Sequence, residues 1–174
     1  MQNSGKLFEQ QFRKSIPEYA LLIRLNDTAQ SFKKSGYARF TPQNPCDFIL
    51  FNSNKHQLIC LECKSTKYRS MSFEDVNSDK EQNKMIHKHQ IIHLTKFSEY
   101  DGVIGCFLFN FRDEENNMER TYFQNIKDFN KMCDSIHKAS FNEMDLVLNG
   151  AIKINGVKKR LHYIWDIDEL LQKI

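Results

Sequence analysis

The chain has 174 residues, 40% of them hydrophobic and 27% charged, with six Gly and three Pro. That size suits one domain with its own core, and the composition excludes a collagen-like, low-complexity or disordered chain. The formal net charge is only +3, a weak argument for a nucleic-acid partner, and no apolar run approaches the roughly 18 residues of a membrane span.

Residues 1–14 carry positive charge with no apolar stretch behind it, so no secretory leader is expected. Leu7, Phe8, Gln11 and Phe12 fall at helical spacing, with Ser4 placed to cap them. This first helix should stop before Pro17, since the residue before proline avoids helical angles. Ala20 to Leu25 is an apolar run of strand length. Residues 26–44 are polar and basic and read as a projecting loop, too long for a tight turn. Asp47 to Phe51 reads as a strand, Asn52 to Lys55 as turn chemistry, and Leu58 to Lys64 as the return strand of a hairpin. Met85, Ile86, His89, Ile92, His93 and Phe97 step by three and four, which predicts a helix over 79–98. Asp101 and Gly102 break it. Val103 to Phe111 is nearly continuous in apolar residues, as in a sheet centre. Residues 113–117 form a turn, 119–123 a strand and 125–138 a helix. Residues 141–174 hold short apolar clusters, a turn at Asn155 and Gly156, and a last helix from Asp166. The order is that of a mixed α/β protein.

The charge is unevenly spread. The first 70 residues hold 11 of the 25 Lys and Arg but 5 of the 22 Asp and Glu, a balance of +6. The remaining 104 balance at −3. One basic half suggests a face directed at a polyanion. The five cysteines, Cys46, Cys60, Cys63, Cys106 and Cys133, are odd in number, scattered, and several lie in apolar runs. A reduced, cytoplasmic protein without a disulfide framework is expected.

The chemistry gathers on the hairpin. Alternate residues of a strand share a face, so Glu62 and Lys64 point together, and the hairpin brings Asp47 close to them. Charged residues flanked by apolar ones are costly to bury unless paired or used. Two carboxylates suit Mg²⁺, a hard cation, and a neighbouring lysine can position water and stabilise developing negative charge. That set points to metal-assisted phosphodiester hydrolysis. Cys60 and Cys63 have zinc-knuckle spacing, but no second CxxC follows and alternation sends their sulfurs to opposite faces. His89 and His93 lie one helical turn apart without the intervening acid of a zinc protease and read as core or DNA-facing. Lys33, Lys34, Arg39, Lys67 and Arg69 flank the hairpin motif and are candidate phosphate contacts. Tyr37, Phe40 and Tyr68 among them are candidates for packing on exposed bases.

Asp47, fourteen residues, then Glu62, Cys63 and Lys64 resembles the PD-(D/E)xK nuclease superfamily. A finer resemblance, from about Gly5 to the C-terminus, is to RecU-type Holliday-junction resolvases and their phage relatives. It is carried in order by Gly5 to Glu9, Asn44 to Phe48, Leu61 to Lys67, Met71 to Phe73, His87 to Ile91 and Leu161 to Trp165. The resemblance implies a restriction-endonuclease-like α/β fold, a central mixed β-sheet flanked by helices, in a single nuclease domain spanning 1–174. It implies a Mg²⁺-dependent endonuclease, with Mn²⁺ as a substitute, that nicks four-way DNA junctions in pairs during recombination and repair. Asp47, Glu62 and Glu9 would be metal ligands, Lys64 would position the attacking water, and Gln90 would be the supporting polar group. Family members are homodimers and modulate a strand-exchange recombinase, so a homodimer in a bacterial or phage-infected cytoplasm is expected. Three departures stand out: no hydroxyl residue stands two before Asp47, the segment ahead of it is shorter than the stalk of bacterial RecU proteins, and the stretch between Phe73 and His89 is longer than the family's usual connection. Two other functions fit part of this pattern: a superfamily nuclease with another DNA substrate, and a recombination accessory that binds DNA without cutting.

Overall fold

Two apolar strands, joined in parallel, set up the molecule. The structure is a computed structural model and describes residues 4–25, 44–78, 80, 82–160 and 162–174. Its elements are α1 (Ser4–Lys14), β1 (Ala20–Arg24), β2 (Phe48–Asn52), β3 (Gln57–Thr66), β4 (Ser70–Ser72), α2 (Lys88–Phe97), β5 (Val103–Asp113), β6 (Met118–Asn125), α3 (Ile126–Ile136), β7 (Ser140–Asn142), α4 (Glu143–Leu148), β8 (Ile152–Ile154), β9 (Gly156–Lys159), β10 (His162–Trp165) and α5 (Ile167–Lys173). The main sheet has the order β1-β2-β3-β5-β6-β8. Only β3 and β5 pair in parallel, and the other neighbours are antiparallel. A parallel pair needs a crossover, and α2 lies in it.

The sheet is covered on both faces. On one, Phe107 and Phe109 of β5 pack with Phe73, Phe129 of α3 and Phe141 of β7, together with Ile91 and Leu94 of α2. The Phe107–Phe129 and Phe109–Phe141 ring centroids are 4.8 and 4.9 Å apart. On the other face, Cys106 and Leu108 of β5 meet Phe8 and Phe12 of α1, Tyr163 and Trp165 of β10, and Leu170 and Leu171 of α5. Burial on both sides explains why β5 reads as a continuous apolar run rather than an alternating one. Each fully buried Phe or Leu contributes roughly 1.5–3 kcal/mol against its exposed state.

Three expectations about secondary structure need correction. The helix expected over 79–98 begins only at Lys88. Ile86, wholly buried, is held in extended backbone by a parallel bridge to Phe73, with Ile86 N–H donating to Ser72 O and Glu74 N–H donating to Ile86 O. The helical period therefore ran across two elements that share one core. Residues 141–174 contain four short strands besides two helices; runs of three and four residues are too brief for alternation to show. Gly156 begins β9 rather than making a turn. A Cβ there would stand 2.4 Å from Trp165 ring atoms, so the glycine is required by the indole lying over it. Among the described residues, no helix is long and apolar enough to cross a membrane.

Candidate active site

The fourteen-residue spacing between Asp47 and Glu62 is hairpin register. The β2–β3 ladder ends with Phe48 opposite Leu61, so one further step sets Asp47 opposite Glu62. Asp47 N–H donates to Leu61 O at 3.0 Å. Its side chain then replaces the next backbone acceptor, as Oδ2 takes the Cys63 N–H at 2.8 Å. Side chains at such cross-strand positions are direct neighbours.

Glu62 is 5% exposed. Its Oε1 receives the Lys64 ammonium at 3.2 Å and the Gln90 side-chain amide N–H. Gln90 reaches it from the first turn of α2, while its Oε1 accepts the His87 N–H at 3.0 Å. Glu9 comes from the opposite face of the sheet on α1, whose Phe8 and Phe12 anchor it in the core. Arg24, at the end of β1, holds Glu9 Oε2 through Nε at 3.0 Å and Nη2 at 2.9 Å. Asp47, Glu62, Lys64, Gln90 and Glu9 thus converge at one end of β2 and β3.

The electrostatics match a crowded carboxylate site. Burial first, then the charge of Asp47, pushes Glu62 up to about 7, against the pull of Lys64. Asp47 is also raised, by burial and by the Glu9 charge, despite the Cys63 N–H, Lys64 and Arg24. Among the described residues, no three His, Cys, Asp or Glu side chains stand close enough together to hold a metal ion. Each of the three carboxylates has a protein donor: the Cys63 N–H for Asp47, Lys64 and Gln90 for Glu62, and Arg24 for Glu9. The donor set still fits a hard divalent cation in its chemistry. Buried Glu62 is raised in part by the charge of Asp47, and half-buried Asp47 in part by the charge of Glu9, repulsions that a cation would relieve.

Of the candidate DNA-contacting residues, Lys67 and Arg69 lie exposed in the β3–β4 turn, on either side of Tyr68, which is 67% exposed. They border a cleft of about 880 Å³ that Arg112, Arg120, Asp113 and Glu114 also line, so its walls carry both signs of charge. Lys33, Lys34, Arg39, Tyr37 and Phe40 lie outside the described residues. His87 and His89 stack, with centroids 5.6 Å apart and planes at 9°, and His93 meets His89 at 6.1 Å. Burial, then the neighbouring His87 and His93, lowers the pKa of His89. Cys60 and Cys63 face opposite cores, and all five cysteines are free.

Two site residues were missed in the sequence. Arg24 interrupts the apolar run 20–25, and a charge in a half-buried strand signals a partner. Glu74 accepts the Lys88 N–H at 2.6 Å and meets His87 Nδ1 at 3.0 Å. It thereby satisfies a donor at the start of α2 from 14 residues upstream, and no local capping pattern could show it.

No family model matches the chain. Archaeoglobus fulgidus Hjc, a Holliday junction resolvase from an archaeal hyperthermophile, superposes with a TM-score of 0.50, covering 82% of this chain and 91% of that one at 12% identity. That likeness is one of fold: a mixed central sheet flanked by helices, of the restriction-endonuclease-like kind. The SPbeta prophage-derived uncharacterized protein YotM of Bacillus subtilis (strain 168) is 30% identical over 180 residues, 97% of this chain and 85% of that protein, and the chain belongs to its family.

Proposed function

We propose that the protein is a divalent-cation-dependent DNA endonuclease of RecU type, acting as a homodimer on four-way junctions. The observation that carries the reading is the cross-strand pair Asp47 and Glu62, with Lys64 on the same strand face 3.2 Å from Glu62. The fold shared with Hjc, a Holliday junction resolvase, supports it.

Asp47, Glu62 and Glu9 would hold Mg²⁺ or Mn²⁺. A bound cation of this kind polarises a phosphoryl oxygen and acidifies its water. The chain's own groups do the rest. Gln90 donates to Glu62 and fixes its orientation, as outer partners of ligating carboxylates do. Lys64 presents an ammonium at the same oxygen, placed to orient the attacking water and offset charge developing on the phosphate. Lys67 and Arg69, with Lys33, Lys34 and Arg39, would neutralise flanking phosphates. Two-fold symmetry in a dimer suits paired nicks in a junction. A strand-exchange recombinase as partner and a cytoplasmic setting follow from the same reading.

The test is cleavage of branched and linear DNAs with Mg²⁺ or Mn²⁺, comparing wild type with Asp47→Asn and Lys64→Ala. Junction nicking that disappears in both variants is expected. Equal cutting of linear duplex would remove the junction preference and keep the nuclease. Tight junction binding with no cleavage in either cation would favour a non-cutting recombination accessory.

A further inference from the structure

The later part of the chain is acidic in balance, yet one stretch of it carries no acid. From Leu146 to Trp165 there is no Asp or Glu, and Lys158, Lys159 and Arg160 follow one another within that stretch. We infer that the β9–β10 hairpin is a second DNA-binding surface, whose cations grip the backbone phosphates of a duplex arm on the α1 side of the sheet. This rests on the nuclease reading above and adds to it a contact on the face away from Lys67 and Arg69.

The charge of this hairpin is not matched by the protein. Other cations beyond residue 70 meet acids: Arg112 pairs with Glu114, Lys131 with Asp128, Lys138 with Asp145 and Lys173 with Glu169, at 2.7–3.4 Å. Lys158 donates to Asn117 O at 3.2 Å and to the Asn117 side chain, which ties the hairpin to the β5–β6 turn. Among the described residues, Lys159 and Arg160 have no acid within ion-pair distance. All four residues of β9 are exposed, so the strand is not there to fill the core. Opposite charges across a strand pair would stabilise it, but Lys159 stands opposite His162. Three successive cations repel one another, and a polyanion relieves that repulsion.

The hairpin is mounted firmly beside the site. Trp165 lies over Gly156 and stacks on Tyr163, with ring centroids 5.0 Å apart and planes at 10°. It meets the ring of Phe8, the residue before Glu9, at 6.3 Å, and its N–H donates to Ser15 Oγ at 2.9 Å. The same helix α1 packs on β3, which carries Glu62 and Lys64. His162 lies three residues from Trp165, about 10 Å of strand, so the tip stands within one turn of duplex, about 34 Å, of the carboxylates. On its outer side α1 adds exposed Lys6, Arg13 and Lys14, and no acid stands in its first turn. The turn of Lys67 and Arg69 leads instead into β4, whose Met71 lies in the other core. The two groups of cations thus stand on opposite faces of the sheet, where two arms leaving one branch point can each meet one.

Salt dependence separates a phosphate contact from a merely solvated face. Binding of a four-way junction without divalent cation would be measured over a range of salt, with melting temperatures alongside. The proteins are wild type, Lys159→Gln with Arg160→Gln, the charge-keeping Lys159→Arg with Arg160→Lys, and Lys127→Gln, which alters an exposed lysine of α3 on the other face. In the neutral pair, affinity at about 0.1 M salt should fall about ten- to fiftyfold. Its slope of log affinity against log salt should shrink by about 2. The charge-keeping pair should restore both quantities, and Lys127→Gln should match wild type. A folded neutral pair that binds like Lys127→Gln overturns the hairpin contact while leaving the nuclease intact, and so does an equal loss in the charge-keeping pair. If the neutral pair does not fold, Lys159→Gln alone decides, with a slope smaller by about 1. Wild type that binds the junction but never nicks it with Mg²⁺ or Mn²⁺ removes the nuclease reading, and the slopes still decide the hairpin. Wild type that binds no DNA overturns both.

Discussion

Gln90 divides its amide between two tasks: its oxygen accepts the His87 N–H at 3.0 Å, capping its own helix, and its nitrogen donates to Glu62. The first bond fixes the direction of the second. Gln90→Ala should therefore lower cleavage more than stability. Outer partners of metal-binding carboxylates are worth about 10–100-fold in activity, while the lost cap costs about 1 kcal/mol. Single-turnover nicking rates and urea midpoints of the same variant would check the split. A stability loss without a rate loss would remove Gln90 from the site.

Gly105 of β5 lies directly beneath α2. An added Cβ would meet the Leu94 carbonyl at 2.3 Å for oxygen and 2.9 Å for carbon, with Ile126 Cγ2 at 3.2 Å. The obstacle is backbone, which cannot swing aside. Gly105→Ala should thus destabilise by about 2–3 kcal/mol, read from the shift in denaturant midpoint. Since α2 carries Gln90, junction nicking should fall with it. A midpoint within error of wild type would show that α2 can move away freely.

Glu74 gives a pH dependence. The Lys88 N–H first, then His87, holds its carboxyl below the ordinary 4.5. A lowered folded pKa stabilises the folded state above the unfolded pKa, and that contribution is lost as pH falls through the folded value. Wild type should therefore melt higher than Glu74→Gln above about pH 4.5, by an amount matching about 0.3–1 kcal/mol for a charge at a helix N-terminus. The gap should close on acidification below that pH. Melting curves of both proteins from pH 7 to pH 3 would test this, and a constant gap across that range would contradict it.

Asn110 is completely buried and joins three strands. Ser65 of β3 donates to its Oδ1 at 2.8 Å, and its Nδ2 donates to Glu119 and to Thr121 Oγ1 of β6, each at 3.1 Å. Asn110→Ala leaves buried Thr121 and half-buried Glu119 each short of a partner and should cost about 1–3 kcal/mol. The serine adjoins Lys64 in sequence, so the nicking rate should also fall. Equilibrium denaturation beside single-turnover kinetics separates the two effects.

Much of this arrangement could be read in the residues. The hairpin alternation placed Glu62 and Lys64 on one face and Cys60 and Cys63 on opposite ones, because a pleated strand permits nothing else. The apolar run 103–111 announced the sheet centre. The start of α2 was hidden, because Met85 and Ile86 continue the helical period while lying outside the helix, Met85 in a bend and Ile86 in the bridge to Phe73. Glu74 and Arg24 were hidden for another reason. Their roles depend on partners 14 and 15 positions away, Lys88 and Glu9, and such pairings come from packing rather than from any local pattern.

The proposed site straddles the two apolar cores. Glu9 rides on α1 above the Phe8 core, and Gln90 rides on α2 above the Phe107 core. Neither helix contributes to the other's core, and the sheet between them, the hairpin included, belongs to both. A chain with one core formed would hold Asp47 and Glu62 without one of the groups that complete their surroundings. On the proposed nuclease reading, cutting would then require both cores, so copies with only one formed would be harmless to the DNA around them.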